Sequence, residues 1–173
     1  MYNEISYSTK MRNNVAKYVL CGLGGSSLIF VAAAYMTPVL TGIVWMVAFI
    51  FIVASLYVYN RYVGAEFCYS IENVGVPSLI VTQRVGKTIK TMARLDVDSL
   101  TELRLLSGEE YRKYKCQKGV VKYSYFPTMR PSEVYLVSMR SRYEDADVFI
   151  EIDERFASIL RQLMAEKRDD YEL

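Results

Sequence analysis

The sequence predicts an α+β protein: a two-helix transmembrane hairpin, then an antiparallel, sheet-rich domain of about seven strands closed by one C-terminal helix. Three observations predict it. Residues 1–60 carry only Glu4, Lys10, Arg12 and Lys17 as charges, whereas charges recur every few positions from Arg61 onward. Two long uncharged apolar runs fill that first third. Beyond Ala65 the apolar period falls to that of strands, and beyond Asp153 it returns to that of a helix. The chain therefore divides into an N-terminal cytoplasmic segment (1–17), a transmembrane helical hairpin (18–60) and a cytoplasmic sheet domain (61–173).

The first run, Tyr18–Met36, and the second, Val39–Tyr59, are each about the 20 residues that a helix needs to cross roughly 30 Å of hydrocarbon. In lipid every backbone polar group must be satisfied within the segment, which leaves an uninterrupted helix. Only Thr37 and Pro38 separate the runs, which predicts a tight turn. A cleaved leader is the rival for the first run, given its basic flank and Ala32–Ala34, but its apolar stretch is long for a leader and a second span follows at once. Lys10, Arg12 and Lys17 precede the pair and Arg61 follows it, while the turn carries no charge. The positive-inside rule then places the chain in the cell membrane, multi-pass, with both termini cytoplasmic. Tyr18, Tyr35, Tyr57, Tyr59 and Tyr62 stand near the predicted helix ends, as interfacial anchors do. Small residues at Gly22 and Ser26, with Gly42 and Ala48 on the second run, predict a close helix contact, within the pair or with another chain.

In the sheet domain the predicted strands are Ala65–Glu72, Ser78–Arg84, Thr88–Arg94, Leu100–Leu106, Gly119–Phe126, Glu133–Met139 and Asp147–Ile152. The segments 73–77 and 85–87 have hairpin chemistry, with Gly75 and Gly86 able to take positive φ and Pro77 ending pairing. Ser107–Lys118 shows no period and is expected to be a longer, mobile loop. Asp153 is an N-cap, and Phe156, Ile159, Leu160, Leu163 and Met164 fall on one face of a closing helix.

The stretch Tyr69–Leu106, including the run RVGKTIKTMARLDVDSLTELRLL, together with the closing helix Glu154–Lys167, resembles bacterial pleckstrin-homology-like (PH-like) membrane proteins. It is especially similar to a domain-of-unknown-function family of Gram-positive anaerobes. The resemblance spans roughly two thirds of the chain and rests on the pattern of elements. It implies a PH-like antiparallel β-barrel or sandwich. Eukaryotic relatives hold phosphoinositides with basic residues at the first hairpin. Here 73–77 contains no Lys or Arg, a departure from that pattern.

Basic residues gather elsewhere. Arg84, Lys87, Lys90 and Arg94 surround the second hairpin, and the alternation of Arg84, Lys90 and Arg94 predicts a common face. An ordinary solvated sheet surface accounts for such a face more readily than contact with anionic lipid does. Arg112, Lys113, Lys115, Lys118 and Lys122, interleaved with Tyr111, Tyr114 and Tyr123, suit a solvated loop first and a membrane or partner contact second.

The chemistry excludes several classes. There is no histidine and no CxxC pair, and the three cysteines are unpaired by spacing, so no metal, no cofactor and no disulfide framework are expected. A net charge of +2 with no basic helix gives no nucleic-acid partner. Asp96 and Asp98 suit turns or caps, Cys68 suits packing in its strand, and no catalytic residue is assigned. The expectation is a non-catalytic, membrane-anchored interaction module whose partners are the lipid bilayer and a protein partner or a second copy. The alternative is an accessory subunit of a transporter or envelope complex, assembling through its helices.

Overall fold

The computed structural model describes residues 5–9, 15–36, 41–72, 76–140 and 145–171. The chain forms two compact units, one of residues 1–10, 66–126 and 130–173, the other of 11–65 and 127–129.

The second unit is helical. Helix α1 spans Val15–Met36 and α2 spans Thr41–Val58, continued by a π-helical turn over Tyr59–Val63 in which the Gly64 N–H donates to the Tyr59 carbonyl at 2.7 Å. The 22 residues of α1 rise about 33 Å, enough for a hydrocarbon layer. Phe30 stacks on Phe51 at 5.4 Å and Tyr35 meets Trp45 edge-on at 6.1 Å, so the helices run antiparallel. The expected tight turn at Thr37 and Pro38 lies outside the described residues. Hydroxyls within the helices are satisfied locally: Ser26 donates to the Gly22 carbonyl, Ser27 to Gly24 and Ser55 to Phe51.

The other unit holds two four-stranded sheets. The first has the order β1-β2-β3-β4, from Ile5–Thr9, Ala65–Glu72, Ser78–Val85 and Thr88–Asp96. The second has the order β5-β7-β8-β6, from Leu100–Ser107, Glu133–Arg140, Asp145–Ile150 and Val121–Tyr125. All seven expected strands are present, within a few residues of their expected ends. The expectation of an antiparallel barrel or sandwich is corrected in two respects: the sheets are not a closed barrel, and β6 pairs with β8 in parallel, Val121 opposite Ala146 through Tyr125 opposite Ile150. A strand not foreseen, β1, comes from ahead of α1 and pairs antiparallel with β2, Ile5 opposite Ile71 through Thr9 opposite Phe67.

The loop expected over Ser107–Lys118 is also corrected. Gly108–Lys115 is a helix, α3, opened by a capping box: the Ser107 hydroxyl accepts from the Glu110 N–H, and the Glu110 carboxylate accepts from the Ser107 N–H at 2.9 Å. Helix α4, Glu154–Tyr171, closes the unit, with the Phe156 N–H donating to Asp153 Oδ1 at 2.8 Å as the cap requires. Its buried face is Phe156, Ala157, Leu160 and Leu163. Strand β2 buries alternate residues, whereas β7 and β8 bury consecutive ones, Val134–Ser138 and Ala146–Ile150, because both of their faces are covered. Tyr69, fully buried, joins the sheets: its hydroxyl donates to the Tyr125 carbonyl and accepts from the Glu151 N–H.

Candidate interaction surfaces

Strands β3 and β4 place the first basic group. Val85 faces Thr88 across a two-residue turn, Gly86-Lys87, with Gly86 at φ +60°. In this register Arg84 opposes Ile89 and Gln83 opposes Lys90. Cross-strand partners share a face, so Arg84 and Lys90 project from opposite faces of the ribbon, correcting the common face expected from alternation. The register then shifts between Val81 and Thr82, where Met92 is the extra residue of a bulge, and Arg94 falls opposite Ile80. Arg94 therefore returns to the face of Arg84 and ion-pairs with Glu72 at 3.1 Å. Arg84, Lys87 and Lys90 are exposed at the tip, where the Arg84 Nε donates to the Gly86 carbonyl at 3.3 Å.

The second basic group is drawn into α3 itself. The Arg112 Nε donates to the Gly108 carbonyl one turn back at 3.2 Å, and the Lys115 ammonium lies 5.5 Å from the Tyr111 ring centroid. Lys113, also exposed, stands with them in the last turn, complementing the negative end of the helix dipole. Lys122 donates to the Tyr114 and Gln117 carbonyls at 2.7 and 2.6 Å and caps the helix from β6. Of the interleaved tyrosines, Tyr111 and Tyr114 pack edge-on against Phe149, at 5.0 and 6.1 Å, and Tyr111 also against Phe126, at 5.6 Å, whereas Tyr123 is exposed.

The small residues of the helical pair divide in two. Ala16, Ser27 and Ala34 of α1 and Ala48 of α2 are buried. A methyl added at Gly22, Gly24, Gly25 or Gly42 meets nothing within 4 Å. Of the residues expected at a helix contact, Ala48 lies in covered surface, and Gly22 and Gly42 open outward.

Two polar arrangements in the sheet unit went unrecognised in the sequence. Asp147 on β8 is fully buried and accepts from the Tyr114 hydroxyl and from Ser138 Oγ, each at 2.9 Å. Burial first, then this bond, raises the Tyr114 pKa above its ordinary value. No sequence signal separated Asp147 from the acidic residues around it. The other arrangement is Tyr135, Glu154 and Arg161: the Tyr135 hydroxyl and Arg161 Nη1 both donate to the Glu154 carboxylate, the latter at 2.6 Å. Beside it, a cleft of about 300 Å³ between β5 and α4 is lined by Thr101, Glu102, Leu103, Arg161, Met164 and Ala165. Its surface is mostly apolar, with Glu102 and an Arg161 already bonded to Glu154 as its charged groups.

The chain matches no known family model, no curated protein and no solved structure. Among the described residues, no three of His, Cys, Asp and Glu gather as a metal site would require.

Proposed function

We propose that this chain is a membrane-anchored, non-catalytic interaction module that presents its sheet unit at the cytoplasmic face to a protein partner or to the inner leaflet. The observation that carries it is the surface of the helical pair. Both helices are long and apolar enough to cross a membrane. Their buried positions are mainly small residues, while Leu28, Ile29, Ile43, Phe49 and Ile50 lie outside, Ile29 at 70 % and Phe49 at 66 % exposure. Soluble monomers rarely leave apolar patches beyond a few hundred Å² in water. Lipid is a solvent in which such side chains belong.

The pairing of β1 with β2 supports the topology. These strands flank the helical pair in the chain and join in one sheet, so they lie on the same side of any bilayer the pair crosses. Lys10, Arg12, Lys17 and Arg61 favour the cytoplasmic side. A PH-like relationship is part of the proposal and rests on element order, strands followed by a closing helix. The absence of histidine supports a non-catalytic role. Tethering confines the unit to a thin layer, so weak contacts there gain from effective concentration.

The test is fractionation of the full chain with an alkaline carbonate wash, followed by crosslinking in native membranes read by mass spectrometry. Retention in the washed membrane with reproducible crosslinks from the sheet unit is expected. A chain that stays monomeric in the aqueous fraction without detergent sinks the reading.

The open space over Gly22, Gly24, Gly25 and Gly42 favours a second reading, an accessory subunit of a transporter or envelope complex assembled through its helices. In that case Gly22→Leu or Gly42→Leu breaks a complex isolated in mild detergent and leaves the helical pair intact.

A further inference from the structure

The β3–β4 ribbon extends beyond the core it covers. Along β3, side chains pass from buried Leu79 and Val81 through half-buried Thr82 and Gln83 to exposed Arg84, and on β4 every residue from Thr88 to Thr91 is exposed. Ile89 stands at this end with 67 % of its surface exposed. The register sets Arg84 beside it, Lys90 on the opposite face and Lys87 in the turn, so cations are spread over both faces of the tip instead of lining one. No acidic residue occurs between Gln83 and Arg94.

We propose that this tip docks end-on into the surface of an anionic bilayer, Ile89 entering the interfacial layer while Arg84, Lys87 and Lys90 rest against lipid phosphates. The inference rests on the membrane-anchored reading and deepens it by naming the lipid class and the contact residues. A flat acidic patch on a protein would engage one face of the ribbon, whereas the cations here are divided between both. A bilayer meets the tip from all sides, apolar within and anionic at its boundary. Long Lys and Arg stems keep their charges at that boundary while the ribbon end enters. Each cation near such a surface favours the docked state about fivefold.

The full chain is reconstituted into lipid nanodiscs of phosphatidylcholine, with or without phosphatidylglycerol, and backbone hydrogen exchange is followed over residues 83–91. Slower exchange is expected only in the anionic discs. It should vanish at about 1 M salt, where the screening length shrinks to about 3 Å. Lys87→Glu with Lys90→Glu, and separately Ile89→Ser, should restore the rate seen in phosphatidylcholine, with β2 unchanged. Equal exchange in both discs overturns the docking and leaves the anchoring intact. Slowing that ignores lipid charge and salt overturns it too, pointing to a contact between proteins. Slowing that survives Ile89→Ser overturns the insertion of Ile89. A chain that never enters the discs overturns the anchored reading together with this one.

Discussion

Tyr135, Glu154 and Arg161 shift one another's titration. Burial first, and then the bond to Glu154, push the Tyr135 hydroxyl up to about 12. The Tyr135 hydroxyl, followed by the Arg161 guanidinium, holds the Glu154 carboxyl below its ordinary 4.5. A carboxyl whose pKa drops on folding stabilises above its unfolded pKa, and that contribution fades as pH falls below about 4.5. A hydroxyl whose pKa rises on folding stabilises fully below 10, and its contribution fades between 10 and about 12. We expect the melting temperature of the sheet unit to fall on both limbs. Glu154→Gln should flatten the acid limb and Tyr135→Phe the alkaline one; an acid limb equally steep in Glu154→Gln refutes the assignment. None of this was legible in the sequence, because Tyr135 and Glu154 lie on different elements whose juxtaposition no periodicity encodes. The Asp153 cap was legible, because its acceptor is only three residues from its donor.

At the scale of elements, α3 shows where sequence signals run short. The capping signature was present as Ser107 and Glu110, yet an eight-residue helix whose apolar residues are Tyr111 and Tyr114 displays too little period to be recognised. Tertiary docking holds it, chiefly Tyr111 against Phe126 and Phe149. Its first residue is the tightest point: a methyl on Gly108 would stand 2.3 Å from the Pro131 carbonyl oxygen, and the Gly108 N–H donates to the Ser132 carbonyl at 2.6 Å. Ser107→Ala should cost about 1 kcal/mol through the lost cap, and Gly108→Ala about 1–3 kcal/mol through the forced shift. Denaturant midpoints of the two variants decide whether the backbone approach outweighs the cap. The β3–β4 hairpin carries a related lesson. Its strands were legible from turn chemistry, but the face of each cation depended on an even-numbered turn and a bulge at Met92. Alternation holds along an unbroken stretch of strand; a turn or a bulge resets it.

For the whole molecule, the helical pair and the order of strands followed by a helix were readable from composition and period. The strand β1 was not. Five residues, Ile-Ser-Tyr-Ser-Thr, carry little pattern, and their partner in the sheet lies beyond both helices. Tyr7 lies opposite Tyr69 at the middle of that strand, and Tyr7→Pro fixes φ at about −65° there, away from the extended value of an antiparallel strand. We expect the variant to lower the melting temperature of the sheet unit and to speed proteolysis of β2, with the helical pair unchanged. A melt identical to the parent would remove β1 from the cooperative unit.

That pairing also dictates an order of assembly. During synthesis β1 is made before both helices, and β2 exists only after them. An antiparallel helical pair returns the chain to the side it left, so the two strands meet without the entropic search that closing so long a loop would otherwise demand. A nascent chain in which the helical pair fails to form keeps the edge of β2 uncovered, and such an edge recruits aggregation partners. If the helical pair is anchored as proposed, insertion and folding become serial steps, and β1, made before both helices, is fitted only after them.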